Sequence, residues 1–241
     1  MAKKDKDYIK ALQASREQTE AYYRKSLVKT EQQKFLEQLL LKTKTEFQNI
    51  ADIACGGGTL SFHLREIYPG AKFTLCDFNE EALTIAKTLH GDKAEYVHGS
   101  IYELPFENEK FDLVCCWQTL SWLDEPEKAL NELLRITKKG GRIYASSLFN
   151  LRHDVDIFAK MYDHTRPASE LGFSYNTYSA KSVNKWLAGK AVAHRLHEFI
   201  PEIDFHYDGR GIGTFTVKTE NSRLQISAGY LMNWAVLEIE K

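Results

Sequence analysis

Between an apolar run ending at Ile53 and a helical pattern opening at Leu60 lies the segment Asp52-Ile53-Ala54-Cys55-Gly56-Gly57-Gly58. Small residues at that junction let the backbone turn sharply and approach a ligand with no Cβ in the way. About 20 residues later, a second apolar run ends in an acid, Asp77, where a carboxylate can accept hydrogen bonds from both hydroxyls of a ribose. A glycine cluster alone says little, because turns use glycine too. Glycines, strand context and an acid at that separation together specify a nucleotide-binding βα turn, with its ligand outside the C-terminal ends of parallel strands.

The rest of the chain agrees with that frame. From Ile50 onward, short apolar runs alternate with helical segments, the pattern of repeated βα units. Strands are expected at Asn49–Ala54, Lys72–Cys76, Ala94–His98, Lys110–Trp117 and Arg142–Leu148, with intervening helices at Leu60–Ile67, from Asn79 to Leu89, and from Glu125-Pro126 to Thr137. Asn79 followed by Glu80 and Glu81 is a helix start: a polar cap, then acids near the positive end of the dipole. Lys138-Lys139-Gly140-Gly141 reads as the turn that closes the third of these helices. Residues 8 to 47 read as helix in two pieces, with loosely spaced Tyr8, Leu12, Tyr22 and Tyr23 and a sharper stripe of Phe35, Leu36, Leu39 and Leu40. After Phe149 a helix is expected around Asp154–His164 and another at Ser179–Gly189. Strands follow at Val192–Ile200, Gly213–Thr219, Arg223–Ala228 and Leu231–Ile239, the middle two forming a hairpin.

The formal net charge is −1 and charged residues make up 27% of the chain. That balance argues against a general attraction to nucleic acid. The cations crowding the first 30 residues are interleaved with Asp5, Asp7, Glu17 and Glu20, as on a solvated helix face. No run approaches the ~18 apolar residues of a membrane span, and the N-terminus lacks the apolar core of a secretory signal. Cys76, Cys115 and Cys116 fall in or beside strands as small buried hydrophobes. Vicinal Cys115 and Cys116 point to opposite faces, which favours neither a disulfide nor a metal site. Reduced thiols and the missing signal place the chain in the cytoplasm.

Two nucleotide readings compete at the turn. A dinucleotide site needs G-x-G-x-x-G, and here Gly56 and Gly58 are followed by Ser61. A D-x-G-x-G-x-G pattern fits Asp52, Ala54, Gly56 and Gly58 with one Gly→Ala change. The segment resembles motif I of the class I S-adenosylmethionine-dependent methyltransferases. Further matches follow in order: Asp77-Phe78, His98-Gly99-Ser100-Ile101, Phe111-Asp112-Leu113-Val114 (motif II), and Leu134–Gly141 entering the fifth strand. The likeness spans roughly residues 48 to 148 and is nearest to the small-molecule branch that includes ubiquinone-biosynthesis-like C- and O-methyltransferases.

The resemblance implies S-adenosylmethionine as cofactor and S-adenosylhomocysteine as product. The Ala54, Cys55, Gly56 and Gly58 backbone would line the methionine moiety, and Asp52 would orient the loop or reach the amino group through water. Asp77 would take the ribose hydroxyls, Phe78 and Ile101 would sandwich adenine, and Trp117 and Gln118 would close over the methionine end. Tyr23, on the N-terminal helix, would cover the cofactor. Many members carry Asp where this chain has Ser100, so that adenine contact falls to Ser100 or to backbone.

Methyl transfer is an in-line displacement in which alignment supplies much of the rate, and a base is needed only where the acceptor must lose a proton. Acceptor-side candidates for that role are His153 and His164, which would share a face if their helix is continuous. The whole is read as an α/β protein. It has a Rossmann-like, seven-stranded, mostly parallel sheet with helices on both faces, an N-terminal helical cap over 1–47 and a cofactor-binding core over 48–149. Lid helices and terminal strands with an antiparallel hairpin fill 150–241, continuous with the core. The expected partner is a small-molecule methyl acceptor, with no nucleic acid, membrane span or metal, in a monomer or homodimer. A nicotinamide-dependent oxidoreductase, a tRNA or protein methyltransferase, and a binding protein that has lost catalysis are the competing readings.

Overall fold

The computed structural model describes residues 27–162, 164, 172–199, 216–218, 220, 223–225 and 233–241. Strands β1 (Asn49–Ile53), β2 (Lys72–Asp77), β3 (Glu95–His98), β4 (Phe111–Cys116) and β5 (Thr137–Asn150) pair in parallel in the order β3-β2-β1-β4-β5. Beyond β5 come β12 (Asn233–Glu240), antiparallel to its neighbours, and then β9 (Ala193–Phe199). This path has the seven strands expected. An eighth, the two-residue β8 (Tyr178–Ser179), pairs with the end of β5.

Alternation along the strands builds a core on each face of this sheet. On one side Ile50, Phe73, Leu75, Leu113, Cys115, Tyr144 and Val236 pack under helices α1 (Glu31–Thr43), α2 (Thr59–Ile67) and α3 (Glu80–His90). On the other, Ala51, Ile53, Cys76, Val114, Cys116, Ile143 and Ala145 pack under α4 (Pro126–Ile136) and α5 (Ala180–Leu187). Cys115 and Cys116 do face opposite cores, and all four cysteines are free.

Three of these helices start where a side chain supplies a partner for the first amides. Thr30 and Gln33 form a reciprocal capping box at α1, Asn79 accepts from Glu81 at α3, and Ser179 from Ser182 at α5. Such caps each contribute about 1 kcal/mol. The first half of the expected N-terminal helix, Tyr23 included, lies outside the described residues.

Two expectations need correction. Lys138–Gly141 does not turn the chain off α4: β5 already begins at Thr137 and runs through this segment. A register shift against β4 between Phe111 and Leu113 and a positive φ of 77° at Gly140 absorb the irregularity, as in a bulge. The helix expected at Asp154–His164 is not formed over its described residues. Asn150 accepts the amides of Arg152 and His153 and donates to the Val155 carbonyl. Asp156 is bound to the Ser179 amide and the Ser182 hydroxyl. These side chains offer the backbone an alternative to helical bonds. The segment instead pairs β6 (Lys160–Met161) with β7 (Phe173–Ser174). The expected hairpin is present as β10 (Thr216–Lys218) paired with β11 (Arg223–Gln225), a two-stranded sheet of its own that lies between β9 and β12 in the chain.

Candidate functional site

The glycine turn crosses the C-terminal end of β1. Three of its residues adopt left-handed backbone: Ala54 (φ 56°), Gly56 (φ 53°) and Gly58 (φ 77°). Alanine is an unfavourable occupant of that conformation, by about 1–2 kcal/mol, so the turn is held in place by its surroundings. The Cys55 amide donates to the Cys76 carbonyl (3.1 Å) and the Gly58 amide to the Cys55 carbonyl (2.9 Å). The Gly56 amide donates to Asp77 Oδ2 (2.8 Å), while Asp77 Oδ1 accepts from Asn79 (2.9 Å). The acid that ends β2 is thereby locked against the glycine turn, as the paired motif predicts. Burial raises the Asp77 pKa, opposed by the amides of Asn79, Gly56 and Phe78. Each of its oxygens keeps capacity for a further donor.

Asp52 sits at the same rim, 1% exposed. Its Oδ2 accepts from the Ser61 hydroxyl at 2.8 Å. Its Oδ1 is buried with no hydrogen-bond partner among the described residues. Burial pushes its pKa up to about 7, with the Asp77 carboxylate adding to that rise. A buried acceptor left open is costly. Ser61, which in the sequence merely spoils a dinucleotide motif, is thus a working partner of Asp52.

The remaining expected residues lie on the loops that follow β2, β3 and β4. Phe78 is half-buried, and its carbonyl accepts from His98 Nε2 at 2.9 Å. Gly99 donates to the Asp77 carbonyl, which brings the loop after β3 beside the acid. Ser100 caps its own turn, accepting from the amides of Tyr102 and Glu103. Ile101 is buried against the α4-side core. Gln118 takes a left-handed φ of 53°, its amide donates to Ser146 Oγ (2.8 Å), and its side chain bonds Gln32 of α1. Trp117 lines a crevice there with Gln32, Phe35, Ser146, Phe199, Ala235 and Val236. Position in the chain pointed to Trp117 and Gln118; nothing in the sequence pointed to Gln32 or Ser146, which reach the site only through tertiary packing.

His153 and His164 are both exposed and share no helical face. Asp112, from the motif II segment, lies at the opposite rim. It accepts from the Gln48 and Asn49 amides (3.1 and 2.8 Å) and from Lys138 Nζ (2.6 Å), joining the start of β1 to β5. Arg135 is likewise structural, binding Glu132 and the Leu104 and Phe106 carbonyls. Among the described residues no group of His, Cys, Asp and Glu is arranged to hold a metal, and no helix is long and apolar enough to cross a membrane.

Residues 51–145, which run from within β1 to within β5 and include the glycine turn, Asp52 and Asp77, match the family described as "Methyltransferase domain". This segment is therefore similar to that family. The domain and its flanks are similar to an uncharacterized methyltransferase of Schizosaccharomyces pombe, 30% identical over 173 residues, 66% of this chain and 62% of that one. They are also similar to a demethylmenaquinone methyltransferase of Clavibacter sepedonicus, 41% identical over 98 residues, 40% of this chain and 39% of its own. The chain thus spans less than two thirds of the length of these curated relatives. In fold, the chain resembles the YcgJ protein of Bacillus subtilis, with a TM-score of 0.60 over 90% of this chain and 98% of that one at 13% identity.

Proposed function

We propose that the protein is an S-adenosylmethionine-dependent methyltransferase acting on a small molecule or biosynthetic precursor, in the cytoplasm, as a monomer or homodimer. The observation that carries this reading is the open acceptor at Asp52 Oδ1, buried beneath a glycine turn that Asp77 grips from the neighbouring strand. Those groups fit the donor. The turn offers backbone without side chains, Asp77 offers free lone pairs for ribose hydroxyls, and Asp52 offers a carboxylate for an ammonium or the water bound to it. Bound there, S-adenosylmethionine supplies an already activated methyl group and leaves as S-adenosylhomocysteine.

The chain's own part is placement. Ala54, Cys55, Gly56 and Gly58 take the methionine moiety, Phe78 and Ile101 the adenine faces, and Ser100 the adenine edge. Trp117 and Gln118, the latter fixed by Ser146 and Gln32, close the methionine end. Alignment of donor and acceptor by such fixed groups supplies much of the barrier reduction. Where the acceptor must lose a proton, the exposed His153 and His164 are the acceptor-side groups proposed to take it. A nucleic-acid acceptor is disfavoured by the net charge of −1, and the relative named for a demethylmenaquinone substrate supports a small one.

Calorimetric titration with S-adenosylmethionine, S-adenosylhomocysteine and NADH tests the assignment. Binding of the first two and not of NADH is expected; the reverse pattern overturns it. Labelled methyl donor incubated with metabolite extracts then reports the acceptor through its labelled product.

A further inference from the structure

One buried titratable group beside the glycine turn has no part in the placement described above. His90 is the last residue of α3 and is 5% exposed. Its Nε2 lies 2.8 Å from the Gly58 carbonyl. That carbonyl also accepts the Phe62 amide at 3.0 Å, the first bond of α2. A carbonyl carries no proton, so Nε2 must donate, which fixes the tautomer of a neutral ring. Burial lowers the His90 pKa; the Gly58 hydrogen bond opposes that shift and the Arg65 cation from α2 adds to it.

The contact is one of two grips on the same turn. Asp77, just before α3, holds Gly56 through its amide. His90, at the far end of α3, holds Gly58 through its carbonyl. Both gripped residues are left-handed, and the strained Ala54 lies just before them in the same turn. The imidazole also fills the space beneath the turn: a Cβ on Gly58 would lie 2.7 Å from His90 Nε2 and 2.7 Å from Leu75 Cδ2. Gly58 is therefore required twice over, by its φ and by this neighbour.

We propose that His90 is a positioning residue for the cofactor turn, holding Gly58 in its binding shape through the Nε2 hydrogen bond and thereby setting affinity for the methyl donor without touching it. The proposal rests on the methyl-donor reading for its affinity consequence, and on geometry alone for the turn.

The test uses the full chain with His90→Leu, which removes the donor, and His90→Gln, whose amide can restore an N–H near the same place. Hydrogen exchange of the Gly56–Thr59 amides is followed in the free proteins, with S-adenosylhomocysteine titrated by calorimetry. The Leu variant is expected to exchange these amides faster and to bind about 10-fold more weakly, and the Gln variant to return to within about threefold of wild type. Thermal unfolding is expected to fall by a similar amount in both, so lost stability alone cannot produce the split. Unchanged exchange in the Leu variant, or equal binding by Leu and Gln variants, overturns the proposal. Failure of the wild type itself to bind S-adenosylhomocysteine would instead overturn the methyl-donor reading, while the exchange comparison still decides on His90.

Discussion

Asp52 and Asp112 stand on neighbouring strands, yet at opposite rims of the sheet, and their surroundings could hardly differ more. At the N-terminal rim Asp112 receives two main-chain amides, the Asn49 side chain and the Lys138 ammonium. Burial pushes its pKa up, but these donors outweigh that and hold the carboxyl below its ordinary range. At the C-terminal rim Asp52 has one hydroxyl donor, one orphaned oxygen and a second acid nearby, and its pKa rises to about 7. The same side chain is a brace where its hydrogen bonds are complete and a ligand-binding candidate where they are not. Incomplete satisfaction inside a buried site is what separates the working rim from the structural one.

The contrast breaks most visibly on pH. A carboxyl whose folded pKa lies near 7, above its unfolded value near 3.9, takes up a proton on folding between those limits. Its contribution is therefore most favourable at low pH and is lost as pH rises towards 7. Replacing Asp52 by Asn removes that dependence. In denaturant unfolding of the free protein, the stability of Asp52→Asn relative to wild type is expected to rise by about 3 kcal/mol from pH 5 to pH 8. A flat difference would show that Asp52 is ionised without its ligand. The rim's other acid comes next. Asp77→Ala removes the partner of Gly56 and the proposed ribose acceptor together, and calorimetry with S-adenosylhomocysteine should show about a 100-fold loss of affinity.

Sequence reading reached these two acids because spacing carried them: Asp52 and Asp77 are defined by position relative to a glycine cluster and to strand ends. The parallel character of β1 to β5 was legible for the same reason, since local periodicity and turn chemistry agree along that stretch. Asp112 was visible as part of a motif, but its place at the other rim was not, because register across β1, β4 and β5 is a property of pairing. The helix expected around Asp154–His164 failed because Asn150 and Asp156 divert backbone donors to themselves, a competition that hydrophobic spacing cannot register. Gln32 and Ser146 escaped because each meets Gln118 only after distant segments pack.

Two smaller effects sharpen the comparison further. Asp112→Ala should cost about 2 kcal/mol in chemical unfolding, as charge-assisted bonds at one junction are lost. The same variant is expected to bind S-adenosylhomocysteine within twofold of wild type; a larger change would mean that the two rims are not independent. Ala54→Gly relieves a left-handed alanine but frees the unfolded chain, so the net gain is about 0.5–1 kcal/mol, seen as a rise of roughly 2 °C in thermal unfolding.

The placement of β12 has a consequence for the way the chain is made. Its residues 233–240 lie between β5 and β9, each of which pairs with it along most of its length. During synthesis the nucleotide-binding strands emerge early and can assemble on one another, but the outer edge of β5 has no main-chain partner until residue 233 clears the ribosome. Over that interval the nascent chain carries an open edge of the kind that seeds association between molecules. A stop codon just ahead of Asn233 should therefore yield a product that still contains the whole glycine turn and both of its acids, yet is recovered in aggregates.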